Sequence, residues 1–193
     1  MTNGLPQLEA LQSPEQVRMY GGLSATRLAE VAKVGQLPIA IHLDRFLDAV
    51  LAGDGHGDPD DTKALLRFNR LFFGDDVMIV EYYQSIAVGM ALQLIEPLDE
   101  PVVKRAKRLM FTSFNAWSCL DNVAGDGLSE PRLDAEVDRQ ASDVAAILQS
   151  DDVSATYARL LGEARTAGRA AYAEMLPYAS RLGRRFPDDR AGP

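Results

Sequence analysis

Residues 152–179 read DVSATYARLLGEARTAGRAAYAEMLPYA. Apolar and small side chains recur at Tyr157, Leu161, Ala164, Gly168, Tyr172, Met175 and Ala179, the three-and-four spacing that gathers them on one face of a helix. Ala164, Gly168 and Ala171 are small enough to let a neighbouring helix come close, so the segment predicts a long helix docked across a bundle. Upstream, Val137, Ala141, Val144 and Leu148 repeat the same period and predict a second apolar helix face. No segment sustains the alternation of a strand, and Val77-Met78-Ile79-Val80 is the single short β-like run. The expected fold is therefore all-α: a single-domain helical bundle of about seven helices over residues 1–183. The final RRFPDDRAGP, 184–193, reads as a flexible tail.

The punctuation of the chain agrees with helices. Ser13-Pro14-Glu15-Gln16 combines a cap residue, proline at the first helical position and glutamine three residues after the cap, a capping box that predicts a helix from Pro14. Asp60, Asp99, Ser129 and Asp152 each stand before a periodic segment. Gly21-Gly22, Gly35, Gly53 to Gly57, Gly74, and Gly125 with Gly127 are expected to mark the breaks.

Composition narrows the function classes. A hydrophobic fraction of 47% with 25% charged residues is that of a folded globular chain able to bury a core without staples. The 28 acidic and 20 basic residues leave a net charge of −8, a field that disfavours nucleic acid and anionic lipid and favours a basic or apolar partner protein or peptide. The partner set also admits a second copy of the chain. Cys119 is the sole cysteine, which removes internal disulfides and CxxC sites. The amino terminus lacks the basic and apolar regions of a secretory signal, and Tyr82 to Ile95 is too short and too interrupted to span a bilayer, so the expected location is the cytoplasm, with no membrane partner.

Candidate chemistry is sparse. Asp54-Gly55-His56-Gly57-Asp58-Pro59-Asp60-Asp61 places oxygens at alternate positions, but the twelfth residue is Leu65 where a calcium loop needs a bidentate glutamate, so it reads as an acidic linker. His42 and His56 are the only histidines, and no Glu-x-x-His pair occurs for a di-iron bundle. Cys119 reads as a small buried residue. No catalytic residue, metal ligand or cofactor is assigned; a small enzyme with an inter-helix site using Asp121, Asn122, Cys119 or His42 is the third reading. The second is a helix-turn-helix regulator, from Leu23-Ser24 and Leu28 to Ile39 with Gln36 to His42 as recognition helix, although residues 1–50 carry four basic against five acidic groups.

The most specific pattern is Phe68-Asn69-Arg70-Leu71-Phe72-Phe73-Gly74, followed by Tyr82-Tyr83-Gln84-Ser85-Ile86. An aromatic, Arg-Leu-Phe-x-Gly closing one helix, and aromatic-x-Ser opening the next resembles the signature of the TorD family of redox-enzyme maturation chaperones. Arg18-Met19-Tyr20 with Leu23, and Tyr157-Ala158-Arg159-Leu160-Leu161, are similar to that family's first and last helices. The chain carries Asp75-Asp76 where the family usually has proline, and it has no histidine after His56, where the family has an Asp-His pair. The resemblance implies a non-enzymatic helical chaperone or adaptor that binds a partner polypeptide, such as the precursor or twin-arginine signal of a molybdenum oxidoreductase. The partner-binding residues it implies are Arg70, Phe72, Gly74, Asp75, Asp76, Glu81, Tyr82, Tyr83 and Ser85.

Overall fold

The computed structural model describes residues 7–33, 38–52, 57–71, 79–96, 99–125 and 130–178; the side chains of 70–71 and 79–85 are not part of that description. These residues form an all-α bundle of seven helices: α1 Pro14–Ala32, α2 Ile39–Leu51, α3 Pro59–Leu71, α4 Ile79–Gln93, α5 Val102–Ala124, α6 Pro131–Leu148 and α7 Val153–Met175. No strand occurs among them, and Ile79 and Val80, from the β-like run, open α4. The expected tail at 184–193 lies outside the described residues.

The capping box forms as its residues predict. Gln16 N–H donates to Ser13 Oγ at 3.1 Å, and Ser13 N–H donates to Gln16 Oε1 at 3.2 Å. From there α1 runs without interruption through Gly21-Gly22, which corrects the reading of that pair as a helix break. The reason is steric. A Cβ on Gly21 would stand 2.7 Å from Leu109 Cδ1 on α5, and one on Gly22 would stand 2.5 Å from Leu51 Cδ2 on α2 and 2.8 Å from Tyr157 Oη on α7. The glycines give up helix propensity, roughly 1 kcal/mol each, where three other helices press against the backbone. Every residue from Met19 to Ala29 is buried, so α1 has no solvent face over that span. It is the axis of the bundle, and α2, α4, α5, α6 and α7 all pack against it.

The closest of these partnerships is with α7, where Ala164, Gly168 and Met175 of the expected face are buried together with Leu160 and Ala171, while Tyr157, Leu161 and Tyr172 are half-buried at its edge and Ala179 lies outside the described residues. At Gly168 a Cβ would lie 2.7 Å from Glu30 Cβ and 2.9 Å from the Arg27 carbonyl oxygen, so only glycine lets the two backbones meet there. Asp152 caps this helix by accepting Ala155 N–H at 2.9 Å.

Three of the expected helix starts are relocated. Asp60 lies inside α3, and the acceptor for its N–H is Asp58 Oδ1 at 2.7 Å. Asp99 stands ahead of a helix that begins after Pro101 without a side-chain cap. Ser129 lies outside the described residues; α6 begins after Glu130, which makes no cap bond, and receives its cap from another helix. Asp121, buried on α5, accepts Leu133 N–H at 2.9 Å and Arg132 N–H at 3.0 Å through Oδ2, while its Oδ1 accepts Arg132 Nη1 at 3.0 Å.

Substitution of two α7 glycines separates the steric demand from helix propensity. Gly168→Ala should lose about 1–3 kcal/mol through overpacking against α1. Gly162→Ala, with nothing within 4 Å of the added Cβ, should gain about 0.5–1 kcal/mol of helix propensity. Urea unfolding should show the two midpoints moving in opposite directions at unchanged slope.

Candidate functional site

The face that α6 turns inward is polar. Glu136, Gln140 and Asp143 are buried with Val144 and Ile147, while Leu148 is exposed and Val137 and Ala141 are half-buried, so the expected apolar stripe of Val137, Ala141, Val144 and Leu148 is shifted around the helix. The i, i+4, i+7 set Glu136, Gln140 and Asp143 faces the equally spaced Tyr20, Ser24 and Arg27 on α1.

Arg27 is 2% exposed and stands at the centre. Its Nε donates to Glu136 Oε2 at 2.8 Å and its Nη2 to Glu136 Oε1 at 2.9 Å, a bidentate pair; Nη1 donates to Asp143 Oδ2 at 2.8 Å and Nη2 also to Ser24 Oγ at 3.2 Å. Gln140 Nε2 donates to Glu136 Oε1 at 2.8 Å and to Ser113 Oγ of α5 at 3.0 Å, and Tyr20 Oη donates to Gln140 Oε1. Burial works against the Arg27 cation, but Glu136 and then Asp143 outweigh it and hold its pKa above the ordinary value. Burial raises the Tyr20 phenol, with Glu136 adding to the effect. The Asp143 carboxyl is also raised, first by burial, with the Arg27 charge opposing.

A cavity of about 340 Å³ reaches this network between α6 and α7, lined by Arg27, Asp138, Arg139, Asp143, Glu163 and Ala167 among others. Three carboxylates and two guanidiniums thus share one concave surface. A space of that size is at the lower end of small-ligand pockets.

The residues singled out from sequence stand elsewhere. Phe72, Gly74, Asp75 and Asp76 lie outside the described residues, as do the side chains of Arg70, Glu81, Tyr82, Tyr83 and Ser85. The backbone places Arg70 at the end of α3 and the last four of these on α4. His42 Nδ1 lies 2.7 Å from Asp61 Oδ1, and Arg45 Nε donates to Asp61 Oδ2 at 3.0 Å, a cluster around the buried Asp61 carboxylate that joins α2 to α3. His56 and Asp54 lie outside the described residues. Asp121 caps α6, and Cys119 is half-buried with its thiol pushed up by burial, away from thiolate reactivity. On the outward side of α2 stand Ile41, Asp44, Arg45 and Asp48, one cation against two anions. No described helix is long and apolar enough to cross a membrane, and no group of three metal-ligating side chains occurs among the described residues.

The Arg27 network escaped the sequence reading because its residues are charged and hydropathy assigns them to solvent. The available signal was the matched i, i+4, i+7 spacing of Tyr20, Ser24, Arg27 and of Glu136, Gln140, Asp143. Comparison of the chain with protein-family models, curated proteins and solved structures gives no match.

Arg27→Met leaves two carboxylates buried without their cation and should lose about 3–5 kcal/mol, most of which should return when Glu136→Leu and Asp143→Leu are added, as read by chemical unfolding. The Asp61 carboxyl is held below its ordinary value of 3.8 by Arg45 first and His42 next. A depressed folded-state pKa stabilises the fold above the unfolded value and loses that contribution as pH falls through the folded one. Wild type and Asp61→Asn should therefore differ in unfolding midpoint at neutral pH and converge in acid below 3.8.

Proposed function

We propose that the protein is a helical adaptor or chaperone that holds a partner polypeptide, with the twin-arginine or apolar segment of an oxidoreductase precursor as the partner. The observation that carries this reading is the helix junction: α3 closes at Leu71 and α4 opens at Ile79, so the Phe68 to Ser85 pattern straddles a helix end and the next helix start. That is the arrangement the resemblance to maturation chaperones implies. Phe68 packs against the core from α3, anchoring the pattern to the bundle. The acidic surplus supports the same reading, since a chain of net charge −8 attracts a basic segment and speeds its encounter.

Recognition would rest on Asp75, Asp76 and Glu81 meeting the partner's arginines, with the aromatic side chains of the segment meeting its apolar stretch. Affinity recovery of the tagged protein from its native host should retain one oxidoreductase subunit at near-stoichiometric level. Asp75→Lys with Asp76→Lys should release it without changing the unfolding midpoint. Recovery of the same partners by both proteins would sink the reading.

A further inference from the structure

The cavity between α6 and α7 holds an acceptor that the fold does not use. Asp143 is 7% exposed; its Oδ2 takes Arg27 Nη1 at 2.8 Å, while its Oδ1 has no partner among the described residues and belongs to a side chain that lines the cavity. That oxygen opens to the cavity rather than being sealed in the core, so it is free to accept a hydrogen bond from a bound donor. The charges favour a cationic one. Arg27 answers two carboxylates, Glu136 and Asp143, so the buried ion group retains one negative charge. Asp138, Arg139 and Glu163 line the same cavity, and Glu163 pairs with Arg159 at 2.6 Å. An anion would find the Arg27 donors already directed at Glu136, Asp143 and Ser24, and would meet Asp143 Oδ1 instead.

We infer that this cavity is a binding site for an organic cation, a guanidinium or alkylammonium group, whose N–H donates to Asp143 Oδ1 while Ala164 and Ala167 pack against its aliphatic stem. The site is built on α1, α6 and α7 and stands independently of the α3–α4 junction. A proton and the cation compete for the same carboxylate. Glu136, Asp138 and Glu163 raise the local negative potential, Arg27, Arg139 and the Arg159 partner of Glu163 lower it, and the buried Tyr20 stays protonated. Binding should weaken as pH falls and Asp143 takes up its proton.

The test is titration of the full-length protein with methylguanidinium and with n-butylammonium, followed through the Arg27 Nε–H resonance. Saturable one-to-one binding in the low-millimolar range or tighter is expected, weakened about tenfold or more by Asp143→Asn, the loss of one charge-assisted hydrogen bond. Because that variant also alters the Arg27 pair, Ala167→Leu provides the second measurement: it should fill the cavity and abolish binding with the Arg27 resonance and unfolding midpoint retained. Arginine amide and a capped arginine tripeptide then separate the sources. Tighter binding of the free amide indicates a small-molecule ligand, and tighter binding of the tripeptide indicates the side chain of a bound polypeptide; either result supports the cation site. Failure of both cations to saturate, undiminished binding by Ala167→Leu, or preferential binding of inorganic phosphate would overturn it.

Discussion

A guanidinium in the middle of a helix that has no solvent face must be met by carboxylates, and those carboxylates must come from a neighbour. In this bundle Arg27 sets that condition and α6 meets it through Glu136 and Asp143. A leucine in its place would tolerate several rotations of the facing helix. The bidentate pair with Glu136 does not, since turning α6 by one residue, about 100°, would carry Glu136, Gln140 and Asp143 off the seam together. Burying three charges costs several kcal/mol per ion before their attraction is counted. The contribution of the network is therefore geometric definition: it fixes the rotation of α6 about its own axis, and with it the position of the wall shared with α7.

The same helix imposes a second constraint through size. Gly21, Gly22, Ala25 and Ala29 make α1 slender where five helices converge on it, and Gly168 on α7 matches it from the other side. Slender packing and the charged seam divide the perimeter of α1 between them. Where backbones touch, no side chain intervenes; where they stand apart, Arg27 spans the gap and its aliphatic stem adds to the packing.

Much of the fold was legible because helix signals are local. The capping box at Ser13 and the Asp152 cap are each read from a few adjacent residues and form as expected, and the centre of the α7 face, Ala164, Gly168 and Met175, is buried as its spacing predicts. Failures arise where a residue's role is assigned by a distant neighbour. Gly21-Gly22 have the composition of a helix end, and only Leu109, Leu51 and Tyr157 make them the middle of one. Asp121 has no local sign of being the cap of α6. The α6 stripe was misjudged because apolar periodicity assumes that buried means apolar, whereas here Arg27 draws carboxylates inward. Of the candidate site, the α3–α4 pattern was visible as spacing alone; the Asp143 cavity depends on three helices meeting and had no contiguous signature.

The central position of α1 has a consequence for the order of events during synthesis. With two adjacent glycines and a buried cation, this segment has little reason to be helical until its neighbours surround it. Yet 121 positions separate Ala32 from Val153, where its closest partner begins. At about 5–20 residues per second that interval is roughly 6–24 s. Throughout it α1 lacks the α7 surface that meets it at Gly22, Arg27 and Glu30 in the finished bundle. A bundle organised around α1 thus cannot close until α7 has been made, and for that interval the helix on which five others converge is only partly enclosed.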